Sequence, residues 1–125
     1  MVHQVWGRSR AVLAATLPGD RRDDLLAGSA RVIAHGFDRI VVYEDDDPRG
    51  RVPGEVAALV SREITAHRPR LEPTVVRRYD EAVKAALALA RARDVVVVLY
   101  EKLDPVLQLL AEAGAEPVTS CFLNV

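Results

Sequence analysis

Internal disulfide bonds are excluded by arithmetic, because Cys121 is the only cysteine of the chain. A zinc cluster cannot be assembled from one thiol, and no zinc-site spacing pattern surrounds His3, His35 or His67. Aromatic residues make up only 5% of the sequence, so a core has to be built from Val, Leu, Ile and Ala rather than from stacked rings. No apolar run approaches the ~20 residues of a membrane span, and "MVHQVWGRSR" at the start lacks the apolar centre of a signal peptide. A cytoplasmic, reducing setting with no membrane partner is the expectation. Charge of one sign is not in excess either: 17 basic residues face 18 acidic ones. That balance removes the electrostatic footprint of a protein that binds nucleic-acid phosphates. Finally, no G-x-x-x-x-G-K-[ST] stretch occurs, so the chain carries no phosphate loop of that type.

What is present is enough for one ordinary domain of 125 residues, with no internal repeat or linker. Short continuous apolar runs, "AVLAATL" (11–17), "RIVVY" (39–43) and "DVVVVLY" (94–100), read as strands covered on both faces. A weaker strand, "LEPTVVR", fits at 71–77. Helical stretches separate them at 22–35, 53–67 and 79–92, the last with an apolar stripe through Ala82, Val83, Ala86, Leu87, Leu89 and Ala90. A fourth helix is expected from Pro105 to Gly114 with Asp104 as its N-cap, and the tail 115–125 can add a final strand. The alternation predicts a single α/β domain with a mostly parallel sheet of four to five strands and helices on both faces.

In an open parallel sheet, ligands lie beyond the carboxyl ends of the strands, on the loops that leave them. Three such loops are highly charged: "PGDRRDD" (18–24), "EDDDPRGR" (44–51) and "YEKLD" (100–104). Parallel strands gather them on one edge, which would hold Arg21, Arg22, Arg49, Arg51 and Lys102 among Asp20, Asp23, Asp45, Asp46, Asp47 and Glu101. Arginine forks suit carboxylate or phosphate groups. The plainer alternative makes Asp20 an N-cap, places Asp23 and Asp24 in a favourable first turn, and leaves the arginines as neutralising surface charge.

In order and spacing, "GDRRDD", "FDRIVVYEDDDPRGRVPGEVA" and "DEAVKAALALARARD" resemble the C-terminal domain of the Mur ligase family, nearest the branch formed by the cyanophycin synthetases. The resemblance runs from about Ala11 to Gly114. It implies a Rossmann-like fold and a part in ATP-dependent peptide or amide ligation, in which a separate central domain binds ATP and makes an acyl phosphate. By the family's D-x-P-R motif, Asp46, Pro48 and Arg49 are candidates for recognising the incoming amino acid. Arg21 and Asp23 fall in its GDR-D loop, and Arg22 and Arg51 lie beside these positions. The whole set of substrate-binding candidates is therefore Arg21, Arg22, Asp23, Asp46, Pro48, Arg49 and Arg51, with no catalytic residue and no metal ligand. The family's opening strand, with its D-Y-x-H-N-P-like segment, is not found ahead of Ala11, and "YEKLD" stands where peptidoglycan members carry G-K-G-H-E.

Two expectations follow. In one, the chain is a stand-alone C-terminal domain that lends an amino-acid or anion cleft to a partner ligase; it has no cofactor of its own, and ATP and Mg2+ enter only with that partner. In the other, it is a non-catalytic module for interaction, oligomerisation or small-anion binding. Loss of the opening strand exposes a sheet edge that Trp6 and its neighbours cover or a second copy pairs with, so a homo-oligomer is expected. Cys121 is read as buried filler, and Tyr43 and Tyr100 as strand-end residues that cap the core or flank the cleft.

Overall fold

Continuous aliphatic runs make the strands, and the burial pattern explains their continuity. In the computed structural model, which describes residues 10–118, strand β1 (Ala11–Ala15) is buried at every position. Its odd-numbered residues and its even-numbered residues enter different cores, as the two-residue period of a strand requires. Leu13 and Ala15, with Ile40 and Val42 of β2 (Arg39–Tyr43), pack under α1 (Asp23–Gly36) and α2 (Glu55–His67). Val12, Ala14, Val41 and Tyr43 pack on the other side against Ala82 and Ala86 of α3 (Tyr79–Leu89). Full burial of one such aliphatic chain, Leu26 for example, contributes about 2 kcal/mol.

With β3 (Thr74–Val76) and β4 (Val95–Val98) the sheet runs β3-β2-β1-β4, and all three pairings are parallel. The first two helices cover one face and α3 the other, so the winding direction reverses between β1 and β4. The fourth helix, α4 (Leu103–Glu112), lies beside α3. This is a single α/β Rossmann-like domain, as expected. β2 keeps its expected bounds and α1 shifts by one residue, whereas β1, β3, β4, α2 and α3 are shorter than their apolar runs and α4 begins two residues earlier than expected.

Two expected helix caps are corrected. Asp20 does not cap α1: the cap position is Arg22, without a side-chain cap bond, and Asp20 turns instead to Arg49. Asp23 and Asp24 still sit in the first turn, where the helix dipole favours carboxylates. Asp104 likewise lies inside α4, whose cap position is Lys102, and Pro105 occupies the first turn, where a missing N–H costs no helical bond.

Distant residues do the capping elsewhere. The N-terminus of α2 follows Gly54 at φ 91°, and the Glu44 carboxylate accepts from the Ala57 N–H at 2.6 Å. At the other end of α1, Arg68 donates to the carbonyls of Ala34 (2.7 Å) and Phe37 (2.8 Å). Gly114, at φ 91°, closes α4 in a Schellman turn: its N–H reaches Ala111 O, and the Ala115 N–H reaches Leu110 O. His3, Trp6, Cys121 and most of the tail expected to form a strand lie outside the described residues.

Gly19 is required by contact rather than by φ. A Cβ built there would stand 2.4 Å from the Pro48 carbonyl oxygen, which is backbone and has little room to move. Gly19→Ala is expected to destabilise the protein by about 1–3 kcal/mol. Gly28, inside α1 with nothing within 4 Å of its would-be Cβ, is the control: Gly28→Ala should stabilise by about 0.5–1 kcal/mol. Urea unfolding of the two variants checks both signs.

Candidate functional site

The reversal of winding between β1 and β4 opens the carboxyl edge of the sheet, and the loops after β1, β2 and β4 converge there as their polarity suggested. The first two are locked together. Arg51 donates from Nε to Gly19 O at 2.8 Å and from Nη2 to Arg21 O at 2.7 Å. Its Nη2 also lies 2.7 Å from an Asp23 oxygen, and its Nη1 2.8 Å from a Glu55 oxygen. Every arm of the guanidinium is held by the protein, and the side chain is only 16% exposed. Arg49 reaches Asp20 at 3.1 Å. Its backbone sits at φ 52°, in the left-handed region, and its N–H donates to Asp47 Oδ1 at 2.9 Å, while the Asp47 N–H donates to Asp45 Oδ1 at 3.1 Å. Two successive Asx turns thus shape the loop after β2.

The sequence-derived candidates therefore divide. Arg51 and Asp23 tie loops together, and Pro48 contributes the carbonyl that abuts Gly19. Arg22 turns onto Asp24 at 3.2 Å rather than toward Arg49, and Arg21 is an exposed residue whose carbonyl is used by Arg51. Asp46 lines a cleft, and Arg49 stands near enough to it for its charge to act on Glu101.

That cleft, about 230 Å³ in volume, is the better candidate site. The end of β2 gives it Tyr43, Glu44, Asp45 and Asp46; the start of α3 gives Arg78 and Tyr79; and the turn from β4 into α4 gives Glu101, Lys102, Pro105 and Val106. Its floor is tied across the sheet by the Tyr43 hydroxyl, which donates to Leu99 O at 2.5 Å. Tyr100, half exposed, is not among its walls. Four carboxyl groups face two cations here. Glu44 is already engaged with α2, Arg78 is drawn toward Asp80 at 3.2 Å, and Asp45 is shared between the Asp47 N–H and Glu101, which leaves Asp46 and Lys102 as the groups most open to a ligand.

Crowding of like charge leaves a mark on the ionisation. A side-chain hydrogen bond with Asp45, together with partial desolvation and the Asp45 charge, raises Glu101 above the ordinary carboxylate value, against the opposing pull of Arg49 and Lys102. Burial first, and then the charges of Asp45, Glu101 and Asp46, push the Tyr43 phenol up to about 12. Glu101 and Lys102 were expected at this edge from "YEKLD", whereas Arg78 and Tyr79, at the start of α3, carried no sequence signal as cleft neighbours. Sequence distance also hid the rings of His35 and His67, which meet edge-to-face at 6.1 Å. They stand at the ends of α1 and α2, remote from the cleft, and among the described residues no group of three or more His, Cys, Asp or Glu is placed to hold a metal ion.

A nucleotide would place its phosphates in the turn between β1 and α1, if the usual Rossmann pattern held. The residues do not fit that role. Gly19 is closed off by the Pro48 carbonyl, and the first turn of α1 carries Asp23 and Asp24, which would repel an anion. No helix among the described residues is long and apolar enough to cross a membrane.

No family model matches the chain. A cyanophycin synthetase from Trichormus variabilis is 32% identical over 109 residues, which is 87% of this chain. One from Synechocystis is 38% identical over 93 residues, or 74% of the chain, and one from Nostoc is 31% identical over 109 residues. This chain is similar to one stretch of cyanophycin synthetase. It spans only 11–12% of the length of these enzymes. The similarity supports a ligase-like domain, in line with part of the resemblance drawn from the charged loops.

Two measurements test the site. Ultraviolet titration of the folded protein should show one phenol ionising near 12, absent from Tyr43→Phe. Its raised value means that stability conferred by the neutral phenol is lost as pH climbs from ~10 toward that figure. For Glu101 the sign is the same: a carboxyl raised in the folded state binds its proton more tightly there, so its contribution is present at acid pH and is lost as pH rises through and just above the carboxylate range. Glu101→Gln should flatten that part of the Tm-against-pH curve, and an unchanged curve would contradict the Asp45 pairing. In parallel, Arg51→Ala should lower Tm clearly more than Arg22→Ala.

Proposed function

We propose that the chain is a domain of the Mur ligase C-terminal type that presents an amino-acid cleft at its carboxyl edge to a partner ligase, which supplies the ATP site and its Mg2+. The observation that carries this reading is the similarity to cyanophycin synthetase across most of the chain. The chemistry of the cleft supports it. Asp45, Asp46 and Glu101 suit an ammonium group, while Lys102, with Arg49 at the margin, suits a carboxylate, so an amino acid finds both of its charges answered. In this reading ATP activation falls to the partner, which is consistent with a chain that has no G-x-x-x-x-G-K-[ST] stretch and a closed turn at Gly19.

In this role the domain does no bond-making chemistry. It binds and orients the incoming amino acid, and closure over the partner would exclude water from the activated carboxylate. A second reading, a non-catalytic interaction module, is favoured by one observation: Arg51, Arg22 and Glu44, all in the charged loops, are engaged within the chain.

The purified protein alone is expected to release no phosphate from ATP, with or without amino acids. Added to a ligase that lacks such a domain, it should restore amino-acid-dependent ATP turnover, and Arg49→Ala or Asp46→Ala should reduce that turnover. Amide NMR titration with acidic and basic amino acids gives an independent readout, in which shifts are expected around Asp45, Asp46 and Lys102. Failure of every amino acid to shift these signals at millimolar concentration would falsify the cleft and leave the interaction module.

A further inference from the structure

A second polar recess lies at the amino edge of the sheet, opposite the cleft. It measures about 360 Å³ and is lined by Asp38 and Arg39, where the chain enters β2, and by Arg68, Arg70, Leu71 and Glu72, on the way from α2 to β3. The second segment is set in place by its own turn. Pro69 follows Arg68, the Leu71 N–H closes the turn on the Arg68 carbonyl at 3.0 Å, and the Leu71 side chain is buried in the core. Arg68 is anchored through Nη1, which donates to the carbonyls of Ala34 and Phe37, while its Nε and Nη2 have no partner among the described residues. Arg39 and Arg70 are exposed, and no hydrogen bond or ion pair holds either guanidinium among the described residues. The carboxyl edge is built differently: there Arg22, Arg49, Arg51 and Arg78 each meet a carboxylate. In the recess Asp38 is engaged at the start of β1, accepting from the Ala11 N–H at 2.7 Å, and no ion pair ties Glu72 to any of the three arginines.

We propose that this recess binds a compact phosphate dianion, free or as a monoester, through Arg39, Arg68 and Arg70. Each guanidinium presents a fork of donors, and three of them around one recess call for a ligand with three acceptor oxygens. A phosphate has them, whereas a planar carboxylate satisfies a single fork and leaves the other arginines unanswered. The carboxylates of Asp38 and Glu72 bound the recess and break the positive surface, so a compact anion fits it better than a nucleic-acid backbone, which needs a continuous basic stripe. The nearby carboxyl end of α1 repels anions, and Arg68, already bonded to its last carbonyls, stands between that end and the ligand. The site rests on none of the cleft residues and is independent of the ligase reading.

Amide NMR titration and calorimetry of the full chain with inorganic phosphate, at an ionic strength held constant with chloride, test the proposal. Saturable binding is expected, with shifts concentrated at residues 38–39 and 68–72. Arg39→Ala and Arg70→Ala should each weaken it roughly tenfold or more. Neither removes a side-chain bond that the fold uses, whereas Arg68→Ala would also uncap α1, so the first two carry the test. Glu72→Gln, which takes away a repelling charge, should tighten binding, and Arg62→Ala, exposed on α2 and outside the recess, should leave it unchanged. Glycerol 3-phosphate separates the two sources: binding at least as tight as that of phosphate supports a monoester site, and weaker binding supports a site for the free ion. Shifts that fail to saturate and spread over basic residues generally would overturn the proposal, as would affinity unchanged in both Arg39→Ala and Arg70→Ala. Malonate binding as tightly as phosphate would also overturn it, because carboxylates would then satisfy the recess equally well.

Discussion

The guanidinium of Arg51 is the interaction on which the carboxyl edge depends. It joins the carbonyls of Gly19 and Arg21, the carboxylate of Asp23 and that of Glu55, and so links the loop after β1, the start of α1 and the start of α2 in one knot. The planar fork of arginine matches this set of acceptors, and a lysine could satisfy only part of it. Around the knot the neighbouring groups take positions that follow from it. Gly19 lies against Pro48, Asp20 meets Arg49, and the loop after β2 is held in consecutive Asx turns that leave its remaining carboxylates facing the cleft.

Much of the fold was legible in the chain. Unbroken aliphatic runs at β1 and β2 announced strands covered on two faces, the similar run at β4 makes a strand that is only partly buried, and their alternation with amphipathic stretches announced a parallel sheet. The site was legible only as far as its loops. Which aspartate caps and which pairs is decided by contacts across about thirty positions of sequence, as in Arg49 with Asp20, and local rules assign Asp20 to the nearest helix end because they see nothing else. Glu44 shows the same limit from the other side: it serves α2 from thirteen residues away. Arginine runs advertise a ligand fork and a structural clamp equally well, so Arg51 could not be told from Arg49 without the positions of their acceptors.

Charge balance in the molecule is local rather than global. Seventeen basic and eighteen acidic residues nearly cancel, yet the cleft gathers carboxyl groups closely enough to raise Glu101 and to keep Tyr43 un-ionised far into alkaline pH. Such crowding is unfavourable to the empty protein and becomes favourable when a cation or ammonium group enters.

The contact between Gly19 and Pro48 has a mechanical consequence. Two loops in van der Waals register and pinned by Arg51 form a stiff wall, whereas the wall opposite, made by Glu101, Lys102 and the first turn of α4, hangs from a half-covered strand. The β2 side is therefore the better braced wall of the cleft. A ligand entering the cleft would thus meet one side whose groups are set in advance and another whose groups have room to settle around it.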